Sequence, residues 1–134
     1  MRPAELRTAL VILSCAISAG IHGALVPDHF EEGTAAGLGF GVATVLLAVL
    51  AVVLTRKPTQ LALLGTAAVF AGLIASYALV ITTGFPILHP DPEVVDGLAL
   101  FTKAVEAVGL VLAASLLRRP SLAPTLTQPK GTLT

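Results

Sequence analysis

Polar residues along this chain fall in short clusters, and the stretches between them are almost wholly apolar. Four such runs stand out: about Leu6 to Val26, Gly33 to Leu54, about Leu61 to Gly84, and about Val94 to Leu117. Each is near the roughly 20 residues that a helix needs to cross a hydrocarbon core of about 30 Å. The breaks carry helix-stopping residues. Pro27 is expected to end the first helix, because proline has no amide proton to donate and its ring crowds the preceding turn. Thr55-Arg56-Lys57-Pro58 closes the second run and predicts a tight antiparallel hairpin between runs two and three. Pro86, Pro90 and Pro92 force an extended connection between runs three and four. After Arg118-Arg119-Pro120 the chain is polar and punctuated by prolines, with nothing to bury. The pattern predicts an all-α membrane protein: a four-helix transmembrane bundle over residues 1–119 and a disordered cytoplasmic tail over 120–134. A signal peptide is the rival for the first run, since Arg2 and Arg7 precede an apolar core and Ile12-Leu13-Ser14-Cys15 loosely resembles a lipoprotein cleavage box. The run continues to Val26, well beyond the roughly 7–15 apolar residues of a signal core, which favours a spanning helix.

Composition strengthens the membrane assignment. Of 134 residues, 55% are hydrophobic and 12% charged, with mean hydropathy +0.91, whereas roughly a quarter of the residues of a soluble domain are charged. The formal net charge is zero, so no general attraction to nucleic acid follows. A single cysteine, Cys15, excludes an intramolecular disulfide.

The distribution of charge predicts orientation. Arg2, Arg7, Arg56, Lys57, Arg118, Arg119 and Lys130 all fall on one side of a four-helix path. Neither opposite loop contains a lysine or arginine; those loops carry Asp28, Glu31, Glu32, Asp91, Glu93 and Asp96 with His29 and His89. Basic residues are retained on the cytoplasmic side, so both termini are expected in the cytoplasm of a multi-pass plasma-membrane protein. Without the first run, the remaining three would keep the same sidedness.

Within the runs, Gly33, Gly37 and Gly41 recur every four residues and predict a helix face for close packing, against another helix of this chain or of a partner. Lys103 and Glu106 in the fourth run are three residues apart, so they share a helix face and can neutralise one another. Counting about 1.5 Å per residue from the expected outer boundaries puts Lys103 about 9 Å deep and Glu106 about 13 Å deep. The same counting puts His22 about 6 Å, Ser18 about 12 Å, and Tyr77 and Ser76 about 10–12 Å deep. Ser14, Ser18 and His22 form one stripe on the first helix. A polar layer below the outer surface is therefore expected, built from Ser18, His22, Tyr77, Lys103 and Glu106. It serves either as interhelical hydrogen bonding or as a ligand or proton site.

Metal binding is the sharper reading of His22, His29 and His89, since imidazoles and carboxylates together suit divalent transition metals. Their spacing matches no ligand motif, however, and Cys15 and Met1 are the only sulfur residues, which disfavours a cuprous site. Only His22 lies inside a run, which disfavours haem held by two histidines. The chain has no nucleotide loop, nucleophile elbow or paired-cysteine redox motif. The expectation is no cofactor, with a divalent metal as the candidate if one is held.

The pattern Ile21-His22-Gly23-Ala24-Leu25-Val26-Pro27-Asp28-His29 leading into a glycine-bearing second helix, and Thr83-Gly84-Phe85-Pro86 before the last helix, resembles uncharacterised small four-helix integral membrane proteins of actinobacteria. The resemblance runs from about Ser18 to Leu117. It rests on His22, on Pro27-Asp28-His29, on the Thr83 to Pro86 turn, and on Asp96 and Glu106. This chain departs from that pattern in lacking tryptophan and in carrying Lys103. The resemblance implies the four-helix fold and supplies no activity. Small four-helix multidrug exporters share the size, but their membrane carboxylate lies in helix one, whereas here it is in helix four.

Two roles follow as expectations. The first is a non-catalytic subunit or interaction protein that meets a larger membrane complex, or a second copy of itself, through its helices. The second is a small binding or transport protein that holds a cation, proton or small ligand in the outer polar layer. A membrane enzyme acting on a quinone or lipid ranks third, because no nucleophile and base pair up in the sequence.

Overall fold

The structure, a computed structural model, describes residues 2–83 and 95–118. Four helices make it up: α1 (Pro3–Glu32), α2 (Thr34–Arg56), α3 (Gln60–Thr83) and α4 (Gly97–Leu117). Each is long and apolar enough to cross a membrane. The proline-rich connection between runs three and four, with His89, and the expected disordered tail lie outside the described residues.

Local chemistry sets the helix boundaries. Pro3 opens α1, and the Arg2 amide and guanidinium both donate to Glu5 at 2.9 Å. Lys57 ends α2, with its amide donating to the Val53 carbonyl at 2.8 Å, and Pro58 follows. Thr59 Oγ1 then accepts from the Ala62 amide at 3.1 Å and starts α3. Asp96 caps α4 by accepting from the Ala99 amide at 2.7 Å. Three residues connect α2 and α3, which therefore form the expected antiparallel hairpin.

Pro27 does not stop the first helix. The chain stays helical through it to Glu32. The residue one turn back, whose carbonyl a proline ring crowds, is Gly23, which packs against Thr44 of α2. Beyond the proline, the His29 ring donates to the Leu25 carbonyl at 2.9 Å and holds the last turn. Gly33 then ends α1 in extended backbone, its amide donating to the His29 carbonyl at 3.0 Å.

The helices form a closed ring in which each packs on its sequence neighbours and α1 meets α4. α1 lies against α2 most extensively, and α2 against α3 least. The core contains Val11, Cys15, Leu47, Leu54, Phe70 and Ala113. Polar side chains lie within it too: Ser14, Ser18, His22, Thr66, Thr102 and Glu106 are all buried. Leu13, Val45, Val49, Leu64 and Val111, by contrast, face outward. Buried polar groups within an apolar core, together with so many large apolar side chains on the outside, set this bundle apart from a water-soluble one.

Within this chain the glycine stripe makes a close contact at one position. Only Gly37 is packed closely, since a Cβ there would overlap the Phe30 ring of α1. Gly33 joins the two helices, and both Gly33 and Gly41 have open space where a Cβ would stand. Besides Gly37, the buried residues of α2 are Ala36, Ala43, Leu47 and Leu54, at steps of seven, four and seven. Gly109 of α4 is also tightly packed, since a Cβ there would overlap the Phe70 ring and stand 2.9 Å from Ser14 Cβ, and a Cβ at Gly23 would stand 3.2 Å from Thr44 Cγ2.

Candidate functional site

Thr102, Glu106, Gly109, Ala113 and Leu116 line the inward face of α4, at steps of four and three. On α1 the inward seam is Val11, Cys15, Ser18, His22 and His29. Because α1 and α4 are neighbours in the ring, these seams bring Ser18 and His22 up to Glu106. The Glu106 carboxylate is fully buried, with both oxygens engaged. Ser18 Oγ donates to Oε1 at 2.8 Å, and Lys103 Nζ donates to Oε2 at 2.6 Å. A buried carboxylate is tolerable only when paired and hydrogen-bonded, and Glu106 meets both conditions.

His22 completes the cluster. Its Nδ1 lies 2.9 Å from the Ser18 carbonyl, which can only accept, so Nδ1 carries the proton. Nε2 is then turned towards Glu106 Oε1, 3.9 Å away. The Lys103 ammonium also stands 5.4 Å from the centre of the Tyr77 ring on α3. All five residues expected in the polar layer, Ser18, His22, Tyr77, Lys103 and Glu106, therefore come together. They bridge α1, α3 and α4.

Above this cluster, towards the end of the ring that carries Glu32 and Asp96, the helices part around a cavity of about 370 Å³. His22 and Lys103 belong to its floor and Leu25, Leu73 and Val80 to its apolar wall, with Asp28, Glu32 and Asp96 also on its lining. Ala36, Gly39 and Ala43 of α2 keep it open, because they present no side chain large enough to fill it.

The sequence reading missed Phe40. Its ring stacks on His29 at 3.6 Å between centroids and tilts against His22 at 5.1 Å, so α2 holds both imidazoles in place. The available signal was its position, one aromatic residue between Ala36 and Ala43 at steps of four and three. Thr102, also on the cavity wall, carried the weaker signal of a single hydroxyl within an apolar run, whereas Ser76 on the same wall was expected at that depth.

Of the proposed metal ligands, His22 and His29 share the α1 face against Phe40, and His89 lies outside the described residues. No three histidine, cysteine, aspartate or glutamate side chains among the described residues are placed to hold a metal ion. No protein-family model, curated protein or solved structure matches this chain.

Proposed function

We propose that this chain is a multi-pass plasma-membrane protein, with both termini cytoplasmic, that binds a small ligand entering its cavity from the outer side. The orientation is supported by charge: Arg2, Arg7, Arg56, Lys57 and Arg118 belong to one end of the ring, and Asp28, Glu31, Glu32 and Asp96 to the other. Binding is supported by one observation, the cavity of about 370 Å³ directly above a fully buried carboxylate. Helices that serve only to pack close up to interior density. Here three small residues of α2 hold a space within the ordinary size range of ligand sites, about 300–1,000 Å³. The polar groups on its floor are already oriented by bonds to one another, the preorganisation that a ligand site needs.

Native mass spectrometry of protein extracted in mild detergent tests this reading. The expected result is a small-molecule adduct on the natural chain that is absent from Ala36→Leu, whose added side chain fills the cavity. A stoichiometric protein partner, unaffected by that substitution and with no small-molecule adduct, would favour the helix-mediated subunit instead.

A further inference from the structure

We propose that the cavity opens sideways onto the outer half of the bilayer through a gap between α2 and α3, and that its ligand is an amphiphile drawn from the lipid, with a hydroxyl-like polar end and an apolar chain. The inference rests on the ligand-binding reading of the cavity and adds the route and the class of ligand.

The gap follows from register. Towards the hairpin the two helices are in contact, since Leu50 Cδ2 of α2 would stand 3.6 Å from a Cβ at Gly65 of α3. Eleven residues make about three helical turns, so Gly39 lies on the same face of α2 as Leu50, and Ser76 on the same face of α3 as Gly65. Had those faces stayed together, Gly39 and Ser76 would be buried against the opposite helix. Both are exposed, and both line the cavity. The separation begins between these levels. Leu46, one turn outward from Leu50, is 45% exposed, and a Cβ at Gly72, two turns outward from Gly65, would meet nothing within 4 Å. Of the neighbouring pairs in the ring, α2 and α3 accordingly pack least.

Depth decides what lies beyond the gap. Counted from the outer boundary, Gly39 is about 9 Å deep and Ser76 about 10–12 Å deep, inside a hydrocarbon core of about 30 Å. The opening therefore faces acyl chains, and a molecule that uses it must dissolve among them. Phe40 of α2 and Leu73 of α3 line the cavity beside the gap and give such a molecule's chain an apolar seat. The floor is polar. Lys103 has protons beyond the one given to Glu106 at 2.6 Å, and His22 Nε2 stands 3.9 Å from Glu106 Oε1, out of hydrogen-bond reach. A floor that offers both a donor and an acceptor suits a hydroxyl, which can accept one bond and give the other.

The test uses hexadecanol and butanol, each carrying a diazirine beside the hydroxyl, photolysed with the full chain in nanodiscs at equal content per lipid. Adducts are mapped by mass spectrometry to His22 and Thr102, lining residues that are buried from the surrounding lipid. Hexadecanol is expected to label both in the natural chain. Gly39→Leu combined with Ser76→Leu, which fills the two edges of the gap, should cut that labelling at least fivefold, and Val45→Phe, on the far side of α2, should leave it unchanged. Hexadecanol labelling that survives the double substitution, or labelling of the natural chain by butanol alone, would overturn the lateral route and leave the cavity reading standing. If neither alcohol labelled the lining, both would fall together.

Discussion

Ser18 and Glu106, 88 positions apart in the chain, share a hydrogen bond of 2.8 Å that joins the first helix to the last. Both side chains are fully buried, so the bond is shielded from water. Removing the hydroxyl in Ser18→Ala strips Glu106 Oε1 of its short donor, and an unsatisfied buried acceptor costs about 1–3 kcal/mol. Thermal unfolding in detergent should show a fall in Tm, whereas Ser76→Ala, at an exposed hydroxyl, should leave it nearly unchanged.

Lys103 and Glu106 should behave as a coupled pair with unequal halves. Lys103→Met leaves a fully buried carboxylate without its counter-ion. Glu106→Gln leaves an ammonium whose side chain is 17% exposed and borders the cavity. Breaking a buried pair costs about 3–5 kcal/mol, so Lys103→Met should approach that range and Glu106→Gln fall below it. The double replacement should be milder than Lys103→Met alone. Strictly additive losses in the mutant cycle would show that the two do not interact.

The glycines should separate by contact. Gly109→Ala pushes a methyl into the Phe70 ring and Ser14, and overpacking of this kind costs about 1–3 kcal/mol. Gly41→Ala meets open space and should be neutral or raise stability by up to about 1 kcal/mol through helix propensity. Paired melting curves check both. Equal destabilisation at the two positions would mean that Gly41 packs against a partner.

Orientation is testable with an impermeant thiol reagent on intact cells. Glu32→Cys and Asp96→Cys should be labelled from outside and Lys57→Cys should not, while the native Cys15 is fully buried and should stay silent. Labelling at Lys57→Cys would reverse the topology.

The polar cluster was legible in the sequence because depth alone predicts much of it. Ser18 and Glu106 count to about 12 and 13 Å below the expected outer boundary, and groups at one level in adjacent helices meet. The spacing of Lys103 and Glu106 predicts their pairing for the same geometric reason. Contacts that depend on which faces meet were not legible. Three glycines four apart predict a stripe, but only the packing distinguishes Gly37, under Phe30, from Gly41, with open space where a Cβ would stand. Gly109 stands alone on its helix and offers no repeat. The continuation of α1 through Pro27 is accompanied by a side-chain bond from His29, a weaker signal in the sequence than the proline itself.

The bridge between Ser18 and Glu106 also bears on the order in which the chain is made. That bond spans 88 positions, so it cannot form until α4 has been made. When α4 enters, Lys103 is the only partner that Glu106 carries within its own helix, and their three-residue spacing lets the pair arrive nearly neutral. Ser18 and His22 are already in place on α1 to receive it. The one carboxylate buried in the helix interior thus serves, among the described residues, as the latch that closes the ring, and a chain lacking its last helix would leave that latch open.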